Sequence, residues 1–214
     1  MRLEDMMKKQ LITVTPATSI GEALTLIRHN RIRHLPVIEG EKLVGIVSDR
    51  DLRDALPSRF SPHEGGNAIL TKPVEDIMQR NVITAHPLDF IEDAAKTVYD
   101  HKIGALPVVS DGQLRGIVTE SDLLYKLIEL FGVAGPSSCF EVEVDDRVGM
   151  LAEVSQAFQA AGVNVVSVIV YPGKTPGKKK LIFRAQTIDP RTVIELLQAK
   201  GYTVPDPIEG RHRS

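Results

Sequence analysis

Apolar and polar positions along this chain form short alternating runs and helical stripes, and one succession of them occurs twice before the pattern changes. In its first occurrence an extended Ile12-Thr13 piece runs into Pro16, which biases the residue before it away from helix. Ile20, Ala23, Leu24 and Ile27 follow at helical spacing, with Thr18 or Ser19 placed to cap that helix. Leu35-Pro36-Val37-Ile38 and Leu43-Val44-Gly45-Ile46-Val47 read as two strands around Glu39-Gly40-Glu41, and a closing helix begins at Ser48. A shift of 71 residues lays Leu3–Leu52 on Val74–Leu123 without a gap. Ile91, Ala94, Ala95 and Val98 then repeat the helical stripe, and Asp111-Gly112, a favoured turn pair, closes the second hairpin. Each copy is predicted as β-α-β-β-α. One copy alone has too little core to be stable, so the two are expected to pack as a pair.

Between the copies, Pro57, Ser58, Ser61, Pro62, Gly65 and Gly66 mark much of 53–73 as exposed loop, and Phe131-Gly132-Val133-Ala134-Gly135-Pro136 reads as a second boundary. Beyond it Phe140, Val142 and Val144 alternate with polar residues as a half-buried strand. Leu151, Val154, Phe158 and Ala161 form one helical face stopped by Gly162. Val165–Tyr171 and the alternating Leu181, Phe183 and Ala185 predict a hairpin. Val193, Leu196 and Leu197 mark a last helix, and Tyr202-Thr203-Val204 a last strand. That order, β-α-β-β-α-β, is the ferredoxin-like arrangement. The expected fold class is therefore α+β, with a first repeat at 1–56, a linker at 57–73 and a second repeat at 74–130. A short linker at 131–137 and a third domain at 138–210 complete the division.

Composition narrows the function. The 214 residues are 43% apolar and 25% charged, as in an ordinary globular protein, and a net charge of −2 removes the simplest case for a nucleic-acid binder, which needs a strongly basic face. Cys139 is the only cysteine, which excludes an intramolecular disulfide and any zinc site of several thiolates. No run approaches the roughly 18 apolar residues of a membrane span. The N-terminus has no signal-peptide pattern, so a cytoplasmic location is expected.

The chemically interesting element is Gly-apolar-apolar-Ser/Thr-x-x-Asp, present as Gly45 to Asp51 and as Gly116 to Asp122. A hydroxyl at a helix N-cap with a carboxylate three residues later is a capping box. The same geometry suits a nucleotide. Ser48 or Thr119 would donate to a phosphate at a helix N-terminus, and Asp51 or Asp122 would accept from vicinal ribose hydroxyls. The preceding glycine would let the strand approach the ligand, with a purine among Ile12, Val14, Leu35, Val37, Ile83, Leu106 and Val108.

Over about residues 3–126 the paired motifs resemble a tandem of CBS (cystathionine-beta-synthase-type) domains, a Bateman module. The resemblance implies AMP, ADP, ATP or another adenosyl ligand in the clefts between the copies. It assigns ligand roles to Thr13, Ser48 and Asp51 in one copy and to Thr84, Thr119 and Asp122 in the other. Arg33, His34, Pro36 and Arg50, with Ala105 and Pro107, complete the candidate set. Arg31, Arg33, His34 and Arg50 face Lys102, Gly104, Ala105 and Ser121 in the second copy, which predicts unequal clefts, the first favouring the more highly charged nucleotide. Solvated surface arginines are the alternative.

Asp145-Asp146-Arg147-Val148-Gly149-Met150-Leu151, followed by Gly162-Val163-Asn164-Val165, resembles the ACT domain. That resemblance implies an amino-acid site at Asp146, Arg147, Gly149 and Asn164, or else a helix-capping turn and dimer contact without a ligand. The order CBS–CBS–ACT resembles the acetoin-utilization AcuB-type proteins, which implies regulation of acetoin or butanediol catabolism.

Catalysis has little support. His29, His34, His63, His86, His101 and His212 lack the spacing of a helical metal site, and no Gly-x-Ser-x-Gly elbow or phosphate-binding Gly-Lys-Ser/Thr loop is present. Gly173-Lys174-Thr175 sits on a hairpin loop, and Lys178-Lys179-Lys180 reads as its solvated flank. The expected protein is a non-catalytic sensor with adenine nucleotide as regulatory ligand and with no catalytic cofactor or metal. A homodimer and a metabolic enzyme are its expected partners, without nucleic acid or membrane. An oligomerisation scaffold with vestigial clefts and an amino-acid sensor are the alternatives.

Overall fold

The computed structural model describes residues 1–56, 66–133 and 135–205. Expectations placed on Pro57, Ser58, Ser61, Pro62, His63-Glu64, Gly65, Ala134, His212 and the domain end at 210 lie outside the described residues. The chain divides into two compact units between Leu124 and Tyr125.

In the first unit α1 (Ile20–Asn30) starts at Ser19, whose hydroxyl accepts the Glu22 N–H at 3.2 Å. It buries Ile20, Ala23, Leu24 and Ile27 and ends at left-handed Arg31 (φ 52°). Its counterpart α4 (Ile91–His101) ends the same way at Lys102 (φ 53°). β1 (His34–Glu39) pairs antiparallel with β2 (Lys42–Ser48), and β3 (Ala105–Ser110) with β4 (Gln113–Thr119). Asp111 and Gly112 both have positive φ, which the tight hairpin turn needs. The two hairpins join edge to edge in the order β1-β2-β4-β3, through Lys42 opposite Gln113 and a Leu114 N–H bond to Glu41 at 3.0 Å. The expected opening strand of each copy is reduced to one parallel bridge, Val14 to Val37 and Ala85 to Val108. Pro16 and Pro87, two residues further on, have no N–H with which to extend a ladder.

Each copy is completed by the lead segment of the other. The turn Leu3–Asp5 docks on the second copy, with Leu3 N–H to Asp89 O at 3.0 Å and Glu4 N–H to Pro87 O at 2.9 Å. Lys8 and Ile117 exchange both backbone bonds. Symmetrically, Val74 N–H bonds Thr18 O at 2.8 Å, and Gln79 exchanges both bonds with Ile46. Val74 and Met78 thereby enter the core of Val14, Leu24, Leu35, Val37 and Leu52. α2 (Asp49–Asp54) and α5 (Glu120–Leu130) close the two copies. The expected loop at 53–73 is in part helical, since Gly66–Leu70 form α3. Ile69 and Leu70 pack against the first copy's core, and that contact overrides the glycine signal.

The second unit runs β5 (Ser138–Asp145), α6 (Met150–Ala160), β6 (Val165–Pro172), β7 (Lys178–Ala185), α7 (Arg191–Ala199), with sheet order β5-β7-β6. Its core centres on Phe158, edge-on to Phe140 at 5.2 Å and stacked on Phe183 at 4.6 Å. Two expectations change. Tyr202-Thr203-Val204 form no strand among the described residues, although Val204 is buried in the core. Pro205 directly after it offers no N–H to a ladder. Leu151 is 45% exposed, because Met150, Val154, Ala157 and Phe158 form the inward stripe instead.

Candidate functional site

Ser48 ends β2 and caps α2. Its N–H donates to Asp51 Oδ2 at 2.8 Å, its hydroxyl donates to the same oxygen at 2.6 Å, and that hydroxyl accepts the Asp51 N–H at 3.2 Å. Thr119 and Asp122 repeat the arrangement at 3.0, 2.5 and 3.2 Å. The strand-to-helix corner is thus held by a reciprocal capping box, one that engages only a single oxygen of each carboxylate. The other oxygens differ. Asp122 Oδ1 is paired with Lys8 Nζ at 2.9 Å, whereas no described residue bonds Asp51 Oδ1. Burial raises the Asp122 pKa, but the bonds from Thr119 and Lys8 outweigh it and hold the carboxyl below the ordinary range.

The other candidates sort by accessibility. Thr13 is half-buried and Thr84 exposed. Pro36 and Pro107 are buried, and their carbonyls accept the Val14 and Ala85 N–H groups at 3.1 and 3.0 Å, so they hold the lead segments in place. Ala105, Val14, Leu35, Val37, Leu106 and Val108 are core residues no more than 5% exposed. Ile12 and Ile83, also in the expected apolar set, are half-buried. The motif glycines also have another purpose. A Cβ at Gly45 would stand 2.6 Å from Met78 Sδ, and one at Gly116 2.6 Å from Met7 Sδ. These glycines make room for the exchanged lead segments.

The basic residues are not confined to one cleft. Arg50 is exposed on the first turn of α2, while the Arg33 guanidinium donates to Ser121 Oγ, beside Asp122, at 3.4 Å. One of the four basic residues expected at the first cleft thus reaches the second copy's corner. His34 lies against Gly104, where a Cβ would come within 2.9 Å of the ring. Burial, followed by the Arg33 charge, lowers the His34 pKa against the opposing pull of Asp51 and Asp49. α2 has only six residues, so its dipole is weak and ligand recognition there depends on side chains.

Lys8 escaped the sequence reading because it lies outside the repeated motif. The readable signal was its replacement by Gln79 at the equivalent position of the other copy.

The expected amino-acid residues of the second unit fall into two places. Asp146, Arg147 and Gly149 follow β5, where Asp146 pairs with Lys179 at 2.6 Å and Arg147 with Glu153 at 2.9 Å. Left-handed Gly149 (φ 92°) turns the chain into α6. Asn164 bonds Gln186 at 3.2 Å at the opposite end of the sheet, the length of an eight-residue strand away. At about 3.3 Å per residue that is roughly 25 Å. One copy of this unit does not bring the four residues together. Among the described residues no group of His, Cys, Asp and Glu side chains is arranged to hold a metal ion. None of the described helices is long and apolar enough to cross a membrane.

The CBS domain family model matches residues 3–58 and 74–129, and the ACT domain model matches 140–201. An inosine-5'-monophosphate dehydrogenase of Korarchaeum cryptofilum is 40% identical over 126 residues, 58% of this chain and 24% of the enzyme. The chain thus spans about a quarter of that enzyme's length. Among solved structures, an acetoin utilization protein (AcuB) assignment from Vibrio cholerae aligns at TM-score 0.54 and 32% identity, covering 63% of this chain and 95% of that one. CBSX2, a CBS-pair protein of Arabidopsis thaliana solved in complex with AMP, aligns at TM-score 0.52 and 31% identity, covering 60% and 96%.

Proposed function

The chain belongs to the CBS-domain family, with a CBS pair followed by an ACT domain, and on that premise we propose that it is a non-catalytic sensor of adenine nucleotide. One observation carries the reading. Each strand-to-helix corner fixes a hydroxyl and a carboxylate in a reciprocal cap, and on the Asp51 side no described residue bonds the second carboxylate oxygen, which can serve a ligand. Vicinal ribose hydroxyls match that acceptor, the Ser48 hydroxyl can turn from Asp51 to a phosphate oxygen, and Arg50 supplies positive charge at the same corner. The AMP complex of a relative 31% identical supports adenine nucleotide as the ligand class.

Binding regulates only if one arrangement of the CBS pair holds nucleotide more tightly than another. The difference is passed along Phe131–Pro136 to the ACT domain, in a homodimer that acts on a metabolic enzyme. The domain order and the likeness to the Vibrio cholerae protein support an output in acetoin catabolism.

A thermal-shift screen of AMP, ADP, ATP, S-adenosylmethionine and amino acids tests this, with Asp51→Ala and Asp122→Ala alongside. Ligand at 100 times its Kd stabilises by about 2.7 kcal/mol. A nucleotide shift reduced in Asp51→Ala is the expected result. A flat response to every nucleotide would leave both carboxylates as helix caps and make the chain a scaffold, and a response to amino acids alone would move the sensing to the ACT domain.

A further inference from the structure

We propose that Lys8 is a built-in competitor that occupies the Asp122 cleft, so that the first nucleotide bound goes to the Asp51 cleft; this deepens the nucleotide-sensing reading and rests on it. The two corners are nearly superimposable in chemistry. In both, Oδ2 of the aspartate is consumed by the cap, receiving the backbone N–H and the hydroxyl of Ser48 or Thr119. While the cap holds, the oxygen each aspartate offers a ribose is therefore Oδ1. At Asp122 that oxygen already holds the Lys8 ammonium at 2.9 Å. At Asp51 the equivalent position belongs to Gln79, a neutral side chain that makes no such pair among the described residues.

The placement of Lys8 is imposed by the fold. Its backbone exchanges both hydrogen bonds with Ile117, one of the links by which the lead segment of the first copy docks on the second. Two residues beyond Ile117, Thr119 begins the cap, so the Lys8 side chain rises beside the carboxylate. Gln79 is anchored identically to Ile46, two residues before Ser48. One substitution between duplicated segments thus distinguishes two otherwise equivalent corners. The lysine side chain is 60% exposed and the aspartate 25%, so the pair is a partly screened one and its displacement has a modest cost. A pair of this kind corresponds to a change in affinity of up to about fivefold, or about 1 kcal/mol.

Calorimetric titration of the full chain with adenosine and, separately, with AMP tests the assignment, using the wild type, Asp51→Ala, Lys8→Gln and the double variant. Gln is chosen because Gln79 fills the equivalent place, and circular dichroism verifies that each variant is folded. The wild type is expected to show one tighter site that Asp51→Ala removes. Lys8→Gln is expected to tighten the second site about fivefold for both ligands, and the double variant to retain that site alone. Adenosine lacks phosphate, so a gain with adenosine isolates the ribose contact. Unchanged second-site affinity in Lys8→Gln, or AMP weakened while adenosine is unaffected, would overturn the competitor role, the latter making Lys8 a phosphate ligand. Nucleotide bound by neither wild type nor Lys8→Gln would overturn the sensor reading and this inference together.

Discussion

Asp51 closes the first turn of α2 and, in the proposed reading, also presents Oδ1 to a ligand, and substitutions separate the two tasks. Asp51→Ala is expected to lower stability by about 1 kcal/mol in urea denaturation, the usual cost of a lost cap. Ser48→Ala should cost a similar amount. His34 adds a pH dependence of defined sign. Its pKa is lowered in the fold, so the unfolded chain binds the proton more readily, and stability falls as the pH drops below the ordinary histidine range. His34→Gln should flatten that limb of a stability–pH curve below the ordinary histidine value of about 6.5, while the Asp122 contribution persists until the pH falls below the ordinary carboxylate range near 4. The capping residues were legible because their spacing, hydroxyl to carboxylate over three positions, is local. Lys8 was not, since its partner lies 114 positions away and is brought to it by the exchange of lead segments.

Hairpins and helices follow from periodicity and turn chemistry, and most of them appear where the pattern of Val, Ile and Leu places them. The exchanged lead segments do not follow from it. A duplicated sequence is equally consistent with each copy using its own lead segment or its neighbour's, and only the three-dimensional connection decides. The motif glycines report this packing. At Gly116 a Cβ would meet Met7 Sδ at 2.6 Å and the Lys8 carbonyl at 3.0 Å, so the methionine can turn aside but the backbone cannot. Gly116→Ala is expected to destabilise the first unit by about 1 to 3 kcal/mol, the range of overpacked sites, with Gly45→Ala similar. A Tm unchanged in both variants would show that the lead segments yield freely. The last predicted strand failed for an equally local reason, the proline at 205, and the Leu151 assignment failed because two overlapping helical stripes began one residue apart.

As a whole molecule the protein combines a CBS pair with a second unit that has its own core of Phe140, Phe158 and Phe183. Ligand that binds only the folded first unit should therefore raise the unfolding transition of that unit, and a truncating core change such as Phe158→Ala, expected to cost about 3 to 5 kcal/mol, should lower the other. The division into repeats and a third domain was readable from the chain because repetition and a change of hydrophobic period are global signals. Which cleft takes a ligand was not, because in the proposed reading it depends on a single charge, that of Lys8. The central claim is that Asp51 presents an acceptor for adenine nucleotide. Calorimetric titration of the intact chain with AMP tests it most directly: saturable binding whose tighter site Asp51→Ala removes is the predicted result, and AMP binding that survives Asp51→Ala unchanged, or no binding to the wild type, would contradict it.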